Sequence, residues 1–232
     1  MKRSFLFLAA MILLGAGLQS CNKEDNNGGN GNGTTSLQWV DLGLPSGLLW
    51  ADRNVGAKNA EDYGNYYAWG ETAPKEVYDW TTYAYSDDEG YLTKYCNESS
   101  YGLNGFADNL TTLESSDDAA SVNLGDAART PTNDEWQELM DNTTSSWTTR
   151  NGVYGRLLTA SNGESIFLPA AGFRYGSGLF DAGGGSHYWS SILYVDNPRS
   201  AWYFYFDKIG GHMGHDSREE GHPVRAVRAS QK

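Results

Sequence analysis

The sequence predicts a strand-dominated domain with two short helices, and three observations carry that reading. Glycine is abundant at 28 residues, and tyrosine plus tryptophan number 23, a composition of short strands, tight turns and aromatic surface. Asn151-Gly152 and Asn162-Gly163 are hairpin dipeptides, each set between runs that favour extended backbone. Helix-start signals, in contrast, are scarce. The elements follow in chain order.

Residues 1–20 read as a secretory signal: Lys2 and Arg3 lead into the apolar run Phe5–Leu14, and small residues follow. The run is too short to span a bilayer permanently. Its ending, Leu18-Gln19-Ser20-Cys21, resembles the lipobox of bacterial lipoproteins, in which the cysteine becomes the lipidated first residue after cleavage. Asn22-Lys23-Glu24-Asp25 resembles the short signal that sends Bacteroidetes lipoproteins to the outer face of the outer membrane. The expected partner of this end is therefore a membrane, held through lipid on Cys21, and the expected location is the cell surface. Asn26–Ser36 is almost pure Asn, Gly, Thr and Ser, too polar to fold alone. Residues 21–36 are thus expected to be a flexible tether with a typical reach of about 20 Å.

Residues 37–232 suffice for one domain, with no Pro/Gly-rich linker to divide them. Asp117–Asn123 has the acidic start of a short helix. Thr132-Asn133-Asp134-Glu135 is a capping box, after which Trp136, Leu139 and Met140 share one helical face. Ser146–Thr149, Val153–Ala160 and Glu164–Leu168 read as an antiparallel meander turned by the two Asn-Gly pairs. His187–Ser191 and Ala201–Asp207 are the next strand candidates. In the latter, alternation puts Trp202, Phe204 and Phe206 on one face and Tyr203, Tyr205 and Asp207 on the other. Pro223–Val227 is the last candidate.

Charge and cysteine content exclude several functions. Cleavage before Cys21 removes two of 17 basic residues and none of 29 acidic ones, leaving a net charge of −14. A chain this acidic, without basic clusters, should repel nucleic acid. After Cys21 only Cys96 remains, so no disulfide within the mature domain and no Cys-rich metal site is expected.

The chain also resembles a known family. Val40-Asp41-Leu42-Gly43-Leu44-Pro45-Ser46-Gly47-Leu48-Leu49-Trp50-Ala51 and Tyr63-Gly64-Asn65-Tyr66-Tyr67-Ala68-Trp69-Gly70-Glu71 resemble the start of the Fibrobacter succinogenes major paralogous domain. So do Asp117-Asp118-Ala119-Ala120, Arg129-Thr130-Pro131-Thr132, Ile166 to Arg174, Tyr188-Trp189-Ser190-Ser191 and Val224-Arg225, in order across residues 38–228. Ala226 stands where the family usually has proline, and Ala127-Ala128 where tryptophan is common. The family is similar to the formylglycine-generating-enzyme branch of the C-type lectin-like fold. The resemblance implies an α+β domain, two short helices around a twisted, mostly antiparallel sheet with Gly-rich loops.

Catalysis is not expected. The oxidase chemistry of that fold relative needs paired cysteines or a thiolate-bound copper, and Cys96 has no partner. No nucleophile elbow, His-Glu-x-x-His or phosphate-binding loop appears, and no cofactor is implied. His212-Met213-Gly214-His215 with Asp216 and His222 holds metal-ligating residue types, but Gly210, Gly211 and Gly214 read as a solvated loop, so no metal is expected. Arg174 and Arg225 are expected to be structural; Arg199 and Arg218 fall in predicted loops and are expected at the surface.

Residues 188–206 contain eight aromatic residues in nineteen positions, against 13% for the chain. Trp189, Trp202, Phe204 and Phe206 are assigned to the core. Tyr194, Tyr203 and Tyr205 should face outward, with Asp196, Asn197, Arg199, Asp207 and His212 as polar neighbours. Such tyrosines either decorate a β surface through strand propensity or bind a ligand, and the varied polar rim favours binding. The expected ligand-binding set is Tyr188, Tyr194, Asp196, Asn197, Arg199, Tyr203, Tyr205, Asp207, His212 and His215. The expected function is binding of an extracellular protein or glycan; an adhesin or appendage-assembly module is the alternative, and an enzyme of unknown class comes third.

Overall fold

The structure is a computed structural model and describes residues 36–230 except Asp126. Cys21, the signal segment and tether residues 21–35 lie outside the described residues.

Turn residues place the strands. β1 (Trp39–Asp41) and β2 (Leu48–Asn54) pair antiparallel across a turn in which Gly43 and Gly47 both adopt positive φ. After β3 (Tyr66–Tyr67) the chain runs through irregular backbone to α1 (Ala119–Leu124). Asp118 caps that helix, accepting from the Ala120 N–H, and its other oxygen accepts from the Thr130 N–H. Helix α2 (Asn133–Asp141) starts at the predicted capping box: the Glu135 N–H donates to Thr132 Oγ1 at 3.3 Å and the Thr132 N–H donates to Glu135 Oε2 at 2.8 Å.

β4 (Thr143–Arg150), β5 (Val153–Ala160) and β6 (Ser165–Pro169) form the predicted meander; β5 has the expected bounds, β6 is shifted by one residue, and β4 is twice as long as the sequence suggested. Asn151 and Gly152 both take positive φ at the β4–β5 turn, as a tight two-residue hairpin requires. β7 (Phe173–Tyr175) and β8 (Gly178–Phe180) make a small hairpin. β9 (Gly185–Leu193), β10 (Ser200–Asp207) and β11 (Gly211–Ser217) follow, then β12 (His222–Pro223) and β13 (Arg225–Ala229).

All named strand pairs are antiparallel, so the architecture is α+β with strands dominant. They form five small sheets rather than one: β1-β2-β13, β9-β10-β11, β3-β12, β4-β5-β6 and β7-β8. Two apolar cores flank the β9-β10-β11 sheet. One gathers Trp50, Trp136, Leu139, Leu158, Leu168, Tyr188, Phe204 and Phe206. The other gathers Tyr67, Trp69, Tyr95, Trp189, Leu193, Ala201 and Val224. Each large side chain fully buried there is worth about 1.5–3 kcal/mol relative to exposure.

Three expectations are corrected. The stretch His212–His215 is not a loop but part of β11, paired with β10 along its whole length. Its glycines are there because rings lie over them: a Cβ on Gly214 would stand 2.9 Å from the Tyr203 ring, and one on Gly211 2.9 Å from the Phe204 ring. Trp202 is half-buried rather than core, since the β9–β10 register slips opposite it and it packs instead on Tyr194 and His215. Arg218, expected at the surface, is fully buried. Its guanidinium donates to the Tyr83 hydroxyl and to the carbonyls of Lys94, Tyr95 and Pro198, and lies over the rings of Trp69, Tyr83 and Tyr95. Arg225 is structural as expected, donating to Asn54 Oδ1 and the carbonyls of Ala51 and Phe167. Arg174 lies over the Tyr66 ring.

Candidate functional site

Strand alternation sorts the side chains of β9–β11 onto two faces. Tyr188, Phe204, Phe206 and Met213 point toward α2, where Phe204 stacks on Trp136 at 5.0 Å. Trp189, His187, Tyr203, Tyr205, His212 and Asp216 point the other way. On that outer face the rings of Phe173, His187 and Tyr203 form a parallel stack, with centroids 4.6 and 4.5 Å apart. Tyr205 meets the His187 ring edge-on at 5.3 Å and His212 at 5.1 Å. Phe180 stacks on the far side of Phe173 at 5.7 Å. The aromatic surface thus runs unbroken from the β7–β8 hairpin to the edge strand β11.

Exposed apolar side chains continue beyond it. Tyr175 and Phe180, on the Phe173 side of the β7–β8 hairpin, are exposed; Leu179 is exposed on the hairpin's other side with Arg174, and Ile209, at the β10–β11 turn, is 94% exposed. Burial, with Asp216 and Glu220 adding to it, pushes the Tyr203 hydroxyl up to about 12. It stays a neutral donor at any physiological pH.

The predicted binding residues do not form one site. Tyr203, Tyr205 and His212 come together on the outer face as expected. Tyr188 is a correction: it is fully buried in the α2-side core, and its hydroxyl is satisfied there, accepting from Asn54 Nδ2 and donating to the Pro169 carbonyl. Tyr194 and His215 stack on each other at 3.8 Å beside Trp202, at the end of the opposite face. His212 and His215 lie three apart on a strand, so they point to opposite sides and cannot chelate one ion. Asp207 is a turn residue: its Oδ1 accepts from the N–H groups of Ile209 and Gly210. Asp196 and Asn197 sit in the β9–β10 loop, where Asn197 Oδ1 accepts from the Arg199 N–H. Arg199 is tied down rather than free, donating to the Glu89 and Gly90 carbonyls and lying over the rings of Trp80 and Tyr91.

Sequence reasoning missed His187, Phe173 and Phe180. His187 was legible as an outward position of its strand, two residues before Trp189, but nothing in the sequence placed Phe173 against it. Of the residue types named as metal-ligating, sequence reasoning had Asp216 and His222 but grouped them with His212 and His215 in place of His187. Among the described residues, His187, Asp216 and His222 are the one group of three whose ligating atoms all lie within 4.8 Å of one another. Glu220 Oε2 stands 3.6 Å from His222 Nε2.

Elsewhere, a recess of about 200 Å³ is lined by Asp118, Arg129, Thr130, Thr132 and Ser191. Its charged groups are already engaged: Asp118 caps α1 and binds Thr130, and Arg129 is paired with Glu135. The Cys96 thiol is buried and donates to the Glu98 carbonyl, and burial pushes it up, away from thiolate character. No helix of the described residues is long and apolar enough to cross a membrane. No family model, curated protein or solved structure gives a significant match to this chain.

Proposed function

We propose that the chain is a non-catalytic, lipid-anchored cell-surface protein whose domain binds an extracellular protein or glycan through the outer face of β9–β11 and the β7–β8 hairpin. The observation that carries this reading is the unbroken aromatic surface from Phe180 through Phe173, His187 and Tyr205 to His212, continued on the same face of the β7–β8 hairpin by the exposed Tyr175. Contiguous exposed apolar surface of this kind marks interaction sites. The anchor rests on Cys21 and the signal before it, and the C-type lectin-like assignment on the family resemblance; both are part of the proposal.

Of the two ligand classes, the geometry favours protein. Sugars bind aromatic residues by lying on an open ring face, but His187 has Phe173 on one face and Tyr203 on the other. The projecting side chains at the border of this surface, Tyr175 and Phe180, suit packing into pockets of a protein partner. The fully projecting Ile209 also supports the second reading, an adhesin or appendage-assembly module that seats this turn in a neighbouring envelope protein.

The test is a protein and glycan array probed with the full chain and with a Tyr205→Ala, Phe180→Ala double variant. Loss of a protein signal in the variant supports the reading; an unaltered signal removes this face from it. Anchoring is tested separately. Cys21→Ala should move the protein from the membrane fraction to the soluble one, and a variant that remains membrane-bound in high salt would refute the lipoprotein assignment.

A further inference from the structure

His222 is fully buried and stacks on Trp189 at 3.8 Å, and neither of its ring nitrogens has a hydrogen-bond partner. Buried polar nitrogens are almost always bonded, so this one asks for a partner. Its Nε2 lies 3.7 Å from Asp216 Oδ2 and 3.6 Å from Glu220 Oε2, and Glu220 Oε2 is itself without a hydrogen bond. His187 Nδ1 lies 3.2 Å from the same Asp216 oxygen. Spacings of 3.6 and 3.7 Å are too long for hydrogen bonds. They are close to the edge of a coordination polyhedron, since ligands about 2.1 Å from a metal stand about 3.0–3.4 Å apart. The ligating atoms of the cluster all lie within 4.8 Å of one another, so a spacing at that limit would have to close by about 1.4–1.8 Å to reach that polyhedron, within reach of side-chain rotation.

We propose that His187 Nδ1, His222 Nε2 and Asp216, joined by Glu220, form a binding site for one divalent transition-metal ion, zinc foremost.

The chemistry of the donor set selects the ion class. Two imidazoles with one or two carboxylates suit zinc, nickel or copper, whereas calcium and magnesium prefer all-oxygen shells. The charge balance points the same way. Among the described residues, the ion pairs of Asp216 and Glu220 are with the two histidines and none is with a lysine or arginine.

The ligands are also held in place before any ion arrives. His187 is clamped between Phe173 and Tyr203, and His222 lies flat on Trp189. Rings fixed by packing lose little freedom on coordination, which is what a tight site needs. Asp216 is a quarter exposed and His187 and Glu220 are slightly exposed, so an ion can enter from the outer face. The three primary ligands come from β9, β11 and the start of β12. A bound ion would therefore join the β9–β11 sheet to the β3–β12 pair, directly behind the aromatic stack.

The experiment uses the full chain, stripped with a chelator and titrated with zinc chloride by calorimetry, with calcium and magnesium chloride as controls. One equivalent of zinc should bind, and saturating zinc should raise the melting temperature. Asp216→Asn, which keeps the side-chain volume, and His187→Gln should each weaken zinc at least tenfold and abolish the thermal shift. A His212→Gln, His215→Gln double variant should bind as the wild type does. Cobalt chloride should give visible absorption in the wild type that both site variants lose. Because His187 is not a core residue, its variant decides the matter if Asp216→Asn fails to fold. The proposal is overturned by the absence of saturable zinc binding, by binding that survives both site substitutions, by loss in the His212/His215 variant, or by calcium binding as tightly as zinc.

Discussion

The two faces of the β9–β11 sheet are built from the same kinds of residue and have opposite fates. Toward α2, Tyr188 and Phe204 pack against Trp136, Phe206 packs on both of them, and all three are sealed. Away from it, His187, Tyr203 and Tyr205 are only partly covered, and their rings stack on one another rather than on a helix. The difference lies in what covers each face. α2 supplies one large indole and Leu139 to the first, whereas on the second Trp189 and Ala201 enter the other apolar core and His187 is met only by Phe173 of a three-residue-per-strand hairpin, by its strand neighbours Tyr203 and Tyr205 and by His222. A face covered by a helix becomes core, and a face covered by a small hairpin stays available. Aromatic content alone does not distinguish them.

The largest expected effect is on the sealed face. Phe204→Ala removes the ring stacked on Trp136 and should cost about 3–5 kcal/mol, read as a lower urea midpoint at unchanged slope. A loss as small as that of an exposed site would mean that α2 does not seal this face. Next is Gly214→Ala, whose new Cβ would press into the Tyr203 ring on the outer face. Overpacking of this kind should cost about 1–3 kcal/mol. No loss would show that the Tyr203 ring moves freely, contradicting a rigid outer stack.

Smaller effects test the helix that makes the faces unequal. Thr132→Ala removes the α2 cap and should cost about 1 kcal/mol in the same assay. The partner carboxyl, Glu135, adds a pH signature. Burial pushes it up, but the bonds from Arg129 and the Thr132 N–H outweigh burial and hold it below the usual range. A depressed folded value stabilises above the unfolded one, so the wild-type advantage over Glu135→Gln should be complete above about pH 5. It should shrink as acid protonates the folded carboxyl, and a gap that widened toward acid would reverse the assignment. The smallest stability effect belongs to Tyr205→Ala, no more than about 1 kcal/mol, with ligand binding weakened several-fold. A large destabilisation there would make the outer face core as well.

Much of this was legible in the chain. The Thr132–Glu135 box, the two Asn-Gly hairpins and the burial of Phe204 and Phe206 opposite half-covered Tyr203 and Tyr205 all follow from short-range patterns. The candidate site was legible only in part. Tyr203, Tyr205 and His212 share a face because alternation along one hairpin demands it. Tyr194 and His215 were grouped with them by proximity in sequence, but strand parity and a register slip at Trp202 send them to the other side. Of the glycines that suggested a loop at 210–214, Gly210 does lie in the β10–β11 turn, but Gly211 and Gly214 make room for rings from the neighbouring strand.

What the sequence by itself determined is local: helix starts, hairpin turns, the alternation of each strand and the acidic charge. These depend on neighbours a few residues apart, where propensity and hydrogen bonding act directly. The tertiary structure alone decided which aromatic face is covered and that Arg218 is buried beneath three rings. It also decided that His187 and His222, 35 positions apart in the chain, converge on Asp216. Those outcomes depend on how separate sheets pack, and no periodicity within a strand encodes the distance between two strands that never pair.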